Sequence, residues 1–166
     1  PVLVADCDNV AGQLEKHFPA SRPHTILNGV DTNYFRPANP AQKTAARQAL
    51  NLPCQQTLIG CSARLETVKG HEFLFQALAD TPDNTALALA GNGSLLTTLK
   101  ETAHRLNIAD RVYFLGALDQ MKPFYQAIDL FCLPSLNEGL PQSPMEAQAC
   151  GIPAIVTDVG GCRSIV

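Results

Sequence analysis

The chain has 166 residues, 46% hydrophobic and 16% charged, a length and composition suited to one folded domain with a sizeable core. Its formal net charge of −3, without a basic run or an RNA-binding aromatic signature, leaves no electrostatic footprint for nucleic acid. The longest apolar stretches, 86–90 and 130–133, are strand-sized and far short of the roughly 20 residues that a membrane helix requires.

In chain order, residues 1–9 read as a buried strand with its exit loop, and a helix is expected over 10–17, closed by Pro19 and Pro23. The opening Pro1-Val2-Leu3-Val4-Ala5 lacks the basic region of a secretory leader and meets Asp6 and Asp8 at once. Residues 25–31 read as a short strand running into an Asn28-Gly29 turn, and Pro37, Pro40 and Pro53 punctuate a connection around a helix at 41–50. We therefore expect the tail of a preceding domain over 1–24 and an interdomain connection with a linker helix over 25–56.

From residue 57 strands and helices alternate with little spare chain. The strands fall at 57–63, 85–90, 112–115, 130–133 and 152–157, and the helices between them at 70–78, 94–106, 120–127 and 141–150. The strands are continuous apolar runs, the mark of strands covered on both faces. The alternation predicts an α/β fold over 57–166, a doubly wound, Rossmann-like parallel sheet with right-handed crossovers. A further helix is expected after Gly160-Gly161, and both ends of the chain read as cut from a longer protein.

The cysteines at 7, 54, 61, 132, 150 and 162 form no Cys-x-x-Cys pair and no cluster with His17, His24, His71 or His104, so no metal site is expected. Cys61, Cys132 and Cys150 read as small buried hydrophobes, which suits a reducing, cytosolic compartment. No histidine has an evident partner that would make it a general base, and neither a P-loop nor a Gly-x-Ser-x-Gly elbow occurs.

The chemistry concentrates in Asn137-Glu138-Gly139-Leu140-Pro141-Gln142-Ser143-Pro144-Met145-Glu146. Glu138 falls in the loop beyond a strand's carboxyl end, where open α/β sheets bind ligands. Glu146 falls on the next helix among Met145, Ala147 and Ala149, and a carboxylate in such apolar company needs a partner. Ligand hydroxyls would serve, because an ionised carboxylate accepts charge-assisted bonds from two at once. Pro141 suits the first helical turn, whose free N–H groups would face an anion. Arg64 and Lys69 would project from the same sheet edge and suit a diphosphate. Acids for hydroxyls beside bases for phosphates describe a nucleotide sugar. The bland alternatives are a solvated loop acid, a helix-edge acid paired with a base, and surface ion pairs of Arg64 or Lys69 with Glu66. Gly91 and Gly93 read as allowing a tight turn and close backbone approach to a ligand, although Leu96 stands where a dinucleotide fingerprint needs its third glycine. Asp158-Val159-Gly160-Gly161 reads as a bare turn or a backbone ligand site.

With these residues in place, the chain resembles the donor-binding, C-terminal half of a retaining GT-B glycosyltransferase of family 4, the glycosyl transferases group 1, truncated at its C-terminus. The resemblance is carried by Ile26-Leu27-Asn28-Gly29-Val30-Asp31 through Arg36-Pro37, by Ser62-Ala63-Arg64 through Lys69-Gly70, by Ala90-Gly91-Asn92-Gly93 and by Val112-Tyr113-Phe114-Leu115-Gly116. Its most specific part runs from Pro134 through Glu138 and Glu146-Ala147 to Gly151-Ile152-Pro153 and Gly160-Gly161.

The resemblance implies that Arg64 and Lys69 hold the donor's diphosphate and stabilise charge on the leaving nucleotide. Glu138 would lie against the transferred sugar as an orienting, electrostatic residue, and Glu146 would accept bonds from the ribose hydroxyls. Gly139, Leu140 and Gln142 would offer backbone amides, and Leu115 and Gly116 would border the base. It further implies a UDP- or GDP-sugar donor, front-face attack assisted by the departing phosphate, no required metal, and a glycan or lipid-linked acceptor in cell-envelope synthesis. The acceptor would bind through an N-terminal domain that also makes any membrane contact, in the cytoplasm at the periphery of the inner membrane. The fragment alone is expected to bind donor weakly and transfer nothing. Cys162-Arg163-Ser164 departs from the Pro-Glu often found after the paired glycines, and Ser62-Ala63 stands where many relatives have a glycine. The other readings are a non-catalytic nucleotide-sugar module and a GT-B phosphorylase or epimerase, since fold alone decides none of these.

Overall fold

A computed structural model describes residues 2–166. The strands β3 (Thr57–Ser62), β4 (Thr85–Ala90), β5 (Val112–Gly116), β6 (Leu130–Leu133) and β7 (Ala154–Val156) form one sheet in the order β5-β4-β3-β6-β7. All four pairings are parallel. The helices α3 (His71–Ala79), α4 (Leu96–Arg105), α5 (Lys122–Ala127) and α6 (Gln142–Ala149) make the crossovers. Every residue of β4 is buried, with Ala86, Ala88 and Ala90 alternating with Leu87 and Leu89. Both faces of such a strand need a covering layer, so its apolar run is unbroken. The chain moves outward from β3 to β5 and then returns to place β6 on the other side of β3. The loops leaving β3 and β6 therefore flank the switch point of the sheet, where this architecture opens a crevice.

Ahead of the sheet, β1 (Val4–Ala5), α1 (Asp8–His17) and β2 (His24–Thr25) form a separate unit in which β1 and β2 pair in parallel. Of the strand expected at 25–31 only Thr25 lies in β2. Ile26 still donates its amide to Ala5, but Ile26 and Leu27 are exposed and have no ladder partner beyond that bond. The opening strand is likewise less buried than expected, with Val2 and Val4 exposed and Ala5 and Cys7 covered. The helix expected after Gly160-Gly161 is a single 3-10 turn, Cys162–Ser164. The other elements differ from expectation by no more than about two residues at either end, the usual uncertainty of helix and strand termini.

The linker helix α2 (Pro40–Ala49) is started by a capping box, in which Asn39 accepts from the Gln42 amide while the Gln42 side chain accepts from the Asn39 amide. It is fastened to the sheet by Arg47, whose side chain is almost wholly buried. Nε donates to the Ala127 carbonyl, Nη1 to the carbonyls of Pro53, Cys54 and Gln56, and Nη2 to Asp129 at 2.6 Å. Asp129 also accepts from Lys43 Nζ and from the Leu58 amide at the start of β3. Burial alone would raise this carboxyl, but the Lys43 ammonium, the Leu58 amide and the Arg47 guanidinium together hold it below the usual carboxylate range.

Candidate active site

The loop after β3 ends in a 3-10 turn, Thr67–Lys69, and Gly70, at φ 64°, turns the chain into α3. The loop after β6 lies against it, tied by the bond from the Leu136 amide to the Val68 carbonyl. Across this junction Lys69 Nζ donates to Glu138 Oε1 at 2.6 Å, and the Ser135 hydroxyl donates to the same oxygen at 2.5 Å. The two charged side chains are 17% and 8% exposed, so this is a desolvated ion pair. The second oxygen of Glu138 has no partner among the described residues. Arg64, in the same β3 loop, is exposed, and its side chain forms neither a hydrogen bond nor an ion pair among the described residues. The two cations read alike in the sequence are thus different, one committed to Glu138 and one free. Glu66 pairs with neither. It accepts from the Ser94 amide and hydroxyl, which together hold its carboxyl below the usual range.

Glu146 is half-buried on α6, the helix that follows the Glu138 loop. Its partner is within the protein: the Tyr125 hydroxyl donates to Oε2 at 2.6 Å. Burial raises the Glu146 carboxyl above its ordinary value, and the tyrosine's bond offsets only part of that rise. Oε1 has no protein donor among the described residues, so one oxygen remains for a ligand hydroxyl.

The backbone groups expected to face a ligand divide. The amides of Gly139 and Gln142 make no hydrogen bond among the described residues. That of Leu140 is already taken by Asp6 Oδ2, at 3.1 Å, from the unit ahead of the sheet, and Asn28 Nδ2 reaches the Leu140 carbonyl at 3.4 Å. The expectation of a free Leu140 amide is corrected accordingly. The glycines expected to allow close backbone approach let two loops approach each other. A Cβ on Gly91 would lie 2.1 Å from the Ala63 carbonyl oxygen, and one on Gly93 would lie 2.3 Å from that of Leu65. The Gly160-Gly161 turn has the same use, since a Cβ on Gly160 would meet the Glu138 carbonyl oxygen at 1.8 Å and the Gly161 amide donates to Gly139. Gly116, at φ 69°, accepts the Gly91 amide and so borders the same loop cluster. Leu115 lines a hollow of about 410 Å³ beside Leu50, Asn51, Tyr113 and Leu118.

Several groups that hold the site were not legible in the sequence. Tyr125 lies in no motif, Ser62 and Ser135 lie in matched stretches without a role read for them, and Asp6 lies far in sequence from the residue it fastens. One signal was available for Tyr125, because a tyrosine buried in a helix needs a partner for its hydroxyl. His71 stands at the first position of α3, only 2% exposed, with neither ring nitrogen hydrogen-bonded. Burial, aided by the Lys69 charge, lowers its pKa to about 4, so it is neutral at pH 7 and adds no charge to the crevice. Among the described residues no three His, Cys, Asp or Glu side chains converge as a metal site would require. No helix among them is long and apolar enough to cross a membrane.

With the geometry described, comparison with known proteins bears on what the crevice is for. Residues 42–166 match the family model described as glycosyl transferases group 1. The D-inositol 3-phosphate glycosyltransferase of Xylanimonas cellulosilytica is 34% identical, over 99% of this chain and 42% of that protein. The lipopolysaccharide core biosynthesis mannosyltransferase LpsB of Rhizobium meliloti is 35% identical, over 87% of this chain and 43% of that protein. This chain therefore spans less than half the length of these relatives. Among solved structures, Anabaena HepE, crystallised in complex with UDP and glucose, superposes with a TM-score of 0.88 at 26% identity, over 99% of this chain and 46% of that one. The parallel Rossmann-like sheet is that of the C-terminal domain of GT-B glycosyltransferases. The matched motifs, the fold and the relatives coincide, and the chain belongs to the glycosyl transferases group 1 family.

Proposed function

We propose that the chain is the nucleotide-sugar-binding domain of a retaining glycosyltransferase that moves a hexose from a UDP- or GDP-sugar to a glycan or lipid-linked acceptor in the cell envelope. The observation that carries this reading is the pair of loops at the switch point of the sheet, where the buried carboxylate and ammonium of Glu138 and Lys69 are joined, with the free cation Arg64 in the same loop as Lys69 and the half-free carboxylate Glu146 on the helix that follows Glu138. A UDP-bound relative of the same fold and a mannosyltransferase relative support a nucleotide-sugar donor. The free thiols support a cytoplasmic site of action, and the acceptor is assigned to the remainder of the protein.

In this reading the bond between the anomeric carbon and the β-phosphate oxygen breaks as the acceptor oxygen attacks on the same face. The acceptor's proton passes to the departing phosphate, and the nucleoside diphosphate leaves. Negative charge therefore grows on the diphosphate, where Arg64, Lys69 and the free amides of Gly139 and Gln142 stabilise the transition state more than the ground state. Glu138, fixed by Lys69 and Ser135, has one oxygen left to orient sugar hydroxyls. Glu146 takes the ribose hydroxyls.

Calorimetric titration with UDP, GDP, ADP and their common sugar conjugates tests the assignment. The expected result is binding of one nucleoside diphosphate, lost in the double variant Arg64→Ala, Lys69→Ala. Equal binding by that variant would overturn the role given to the two cations, and an inverted product anomer would overturn retention.

A further inference from the structure

We infer that Tyr125 is a positioning residue for the ribose site: its hydroxyl, backed by Ser62, holds one oxygen of Glu146 so that the other is presented to the nucleotide. This rests on the reading of Glu146 as the acceptor of ribose hydroxyls.

The ring of Tyr125 is 1% exposed and is wedged edge-on among three phenylalanines. Phe124 precedes it on α5, Phe131 belongs to β6, and Phe35 comes from the connection ahead of α2. Their ring centroids lie 5.5, 6.0 and 5.8 Å away. Held on three sides, the ring leaves its hydroxyl one position. That hydroxyl has a single proton, given to Glu146 Oε2 at 2.6 Å. The 3.0 Å contact with Ser62 Oγ must therefore be donated by Ser62. The direction of the chain is fixed: Ser62 hydroxyl to Tyr125 oxygen, Tyr125 hydroxyl to Glu146 carboxylate.

Ser62 is the last residue of β3, and the Arg64 loop follows it directly. The relay thus ties the end of the central strand to α6 through α5. A glutamate on a helix surface samples several rotamers and must be ordered on every binding event. Glu146 is ordered beforehand, and its unbound Oε1 is a fixed acceptor. Loss of the tyrosine hydroxyl frees the carboxylate while leaving the aromatic packing intact.

The test compares wild type, Tyr125→Phe and Glu146→Gln by calorimetry in the intact protein. The probes are whichever of UDP, GDP and ADP binds, and its counterpart lacking both ribose hydroxyls. For Tyr125→Phe the expected result is a loss of about tenfold in affinity for the ribonucleotide. Affinity for the dideoxy counterpart should be unchanged. Equal weakening of both probes, with the expected ribose preference lost in Glu146→Gln, would leave Tyr125 a packing residue and overturn the inference alone. Failure of Glu146→Gln to alter ribose preference overturns the underlying reading of Glu146. A second measurement needs no ligand: carboxyl-carbon NMR of Glu146 should report a higher pKa in Tyr125→Phe, because the bond that favours the charged form is gone. An unchanged titration in the folded variant overturns the contact itself.

Discussion

Lys69→Ala is expected to lower transfer by the intact protein at least about a hundredfold, the scale seen when one fixed donor is removed from a developing anion. The same change should destabilise the fold by about 3–5 kcal/mol, because it strands the buried Glu138 carboxylate with only Ser135 as partner. Arg64→Ala separates the two effects. Its side chain is exposed and unpaired, so its loss should move stability by no more than about 0.5 kcal/mol while still weakening nucleotide binding. Urea unfolding beside steady-state kinetics and calorimetry reads all three quantities. Lys69→Ala enzyme of wild-type stability would show that the Glu138 pair is not desolvated in solution. An Arg64→Ala protein with undiminished nucleotide affinity would remove the arginine from the site.

Arg47→Ala is expected to be the most damaging single change outside the crevice, costing about 3–5 kcal/mol of a total that rarely exceeds about 15. The side chain is 5% exposed, and its removal leaves four backbone carbonyls without their donor and Asp129 with a weaker set of partners. The same cluster gives a pH signature. The Asp129 carboxyl is held below its unfolded value, so over the window between the two the unfolded chain binds more protons. Its stabilisation is fully present above the unfolded carboxylate value and is lost as pH falls through the folded one. Asp129→Asn should therefore lower stability at neutral pH and flatten the acid limb of the stability profile. Denaturant unfolding across that limb measures it. A limb of unchanged slope would show that other carboxylates govern acid unfolding.

The strands β4 and β6 were legible residue for residue because burial leaves an uninterrupted apolar run. Ile26 and Leu27 show the converse. They look like strand by composition, yet a strand needs a partner along its edge, and composition does not say where the partner lies. Residue type and position after a strand singled out Lys69, Glu138, Arg64 and Glu146 as candidates, and the structure joins Lys69 to Glu138. Their connections stayed hidden, since the Asp6 bond to Leu140 and the Tyr125 bond to Glu146 depend on which loops the topology brings together. The glycines were legible only in part. Sequence shows that a close approach occurs at Gly91, Gly93 and Gly160 but not whether the neighbour is a ligand or another stretch of backbone.

The pairing of β3 with β6 has a consequence for the cost of building the crevice. Lys69 and Glu138 are 69 residues apart, and the bond from the Leu58 amide to Asp129, at the other end of the same two strands, spans 71. Closing a loop of that length costs chain entropy once, and the cost hardly changes with a few residues more or less. The sheet meets it when β6 docks beside β3. The ion pair and the Ser62–Tyr125 contact, which spans 63 residues, then form between groups that are already neighbours. Lys69 and Glu138, like Ser62 and Tyr125, are held together by an expense already met in the strands below them, and their bonds need only select rotamers.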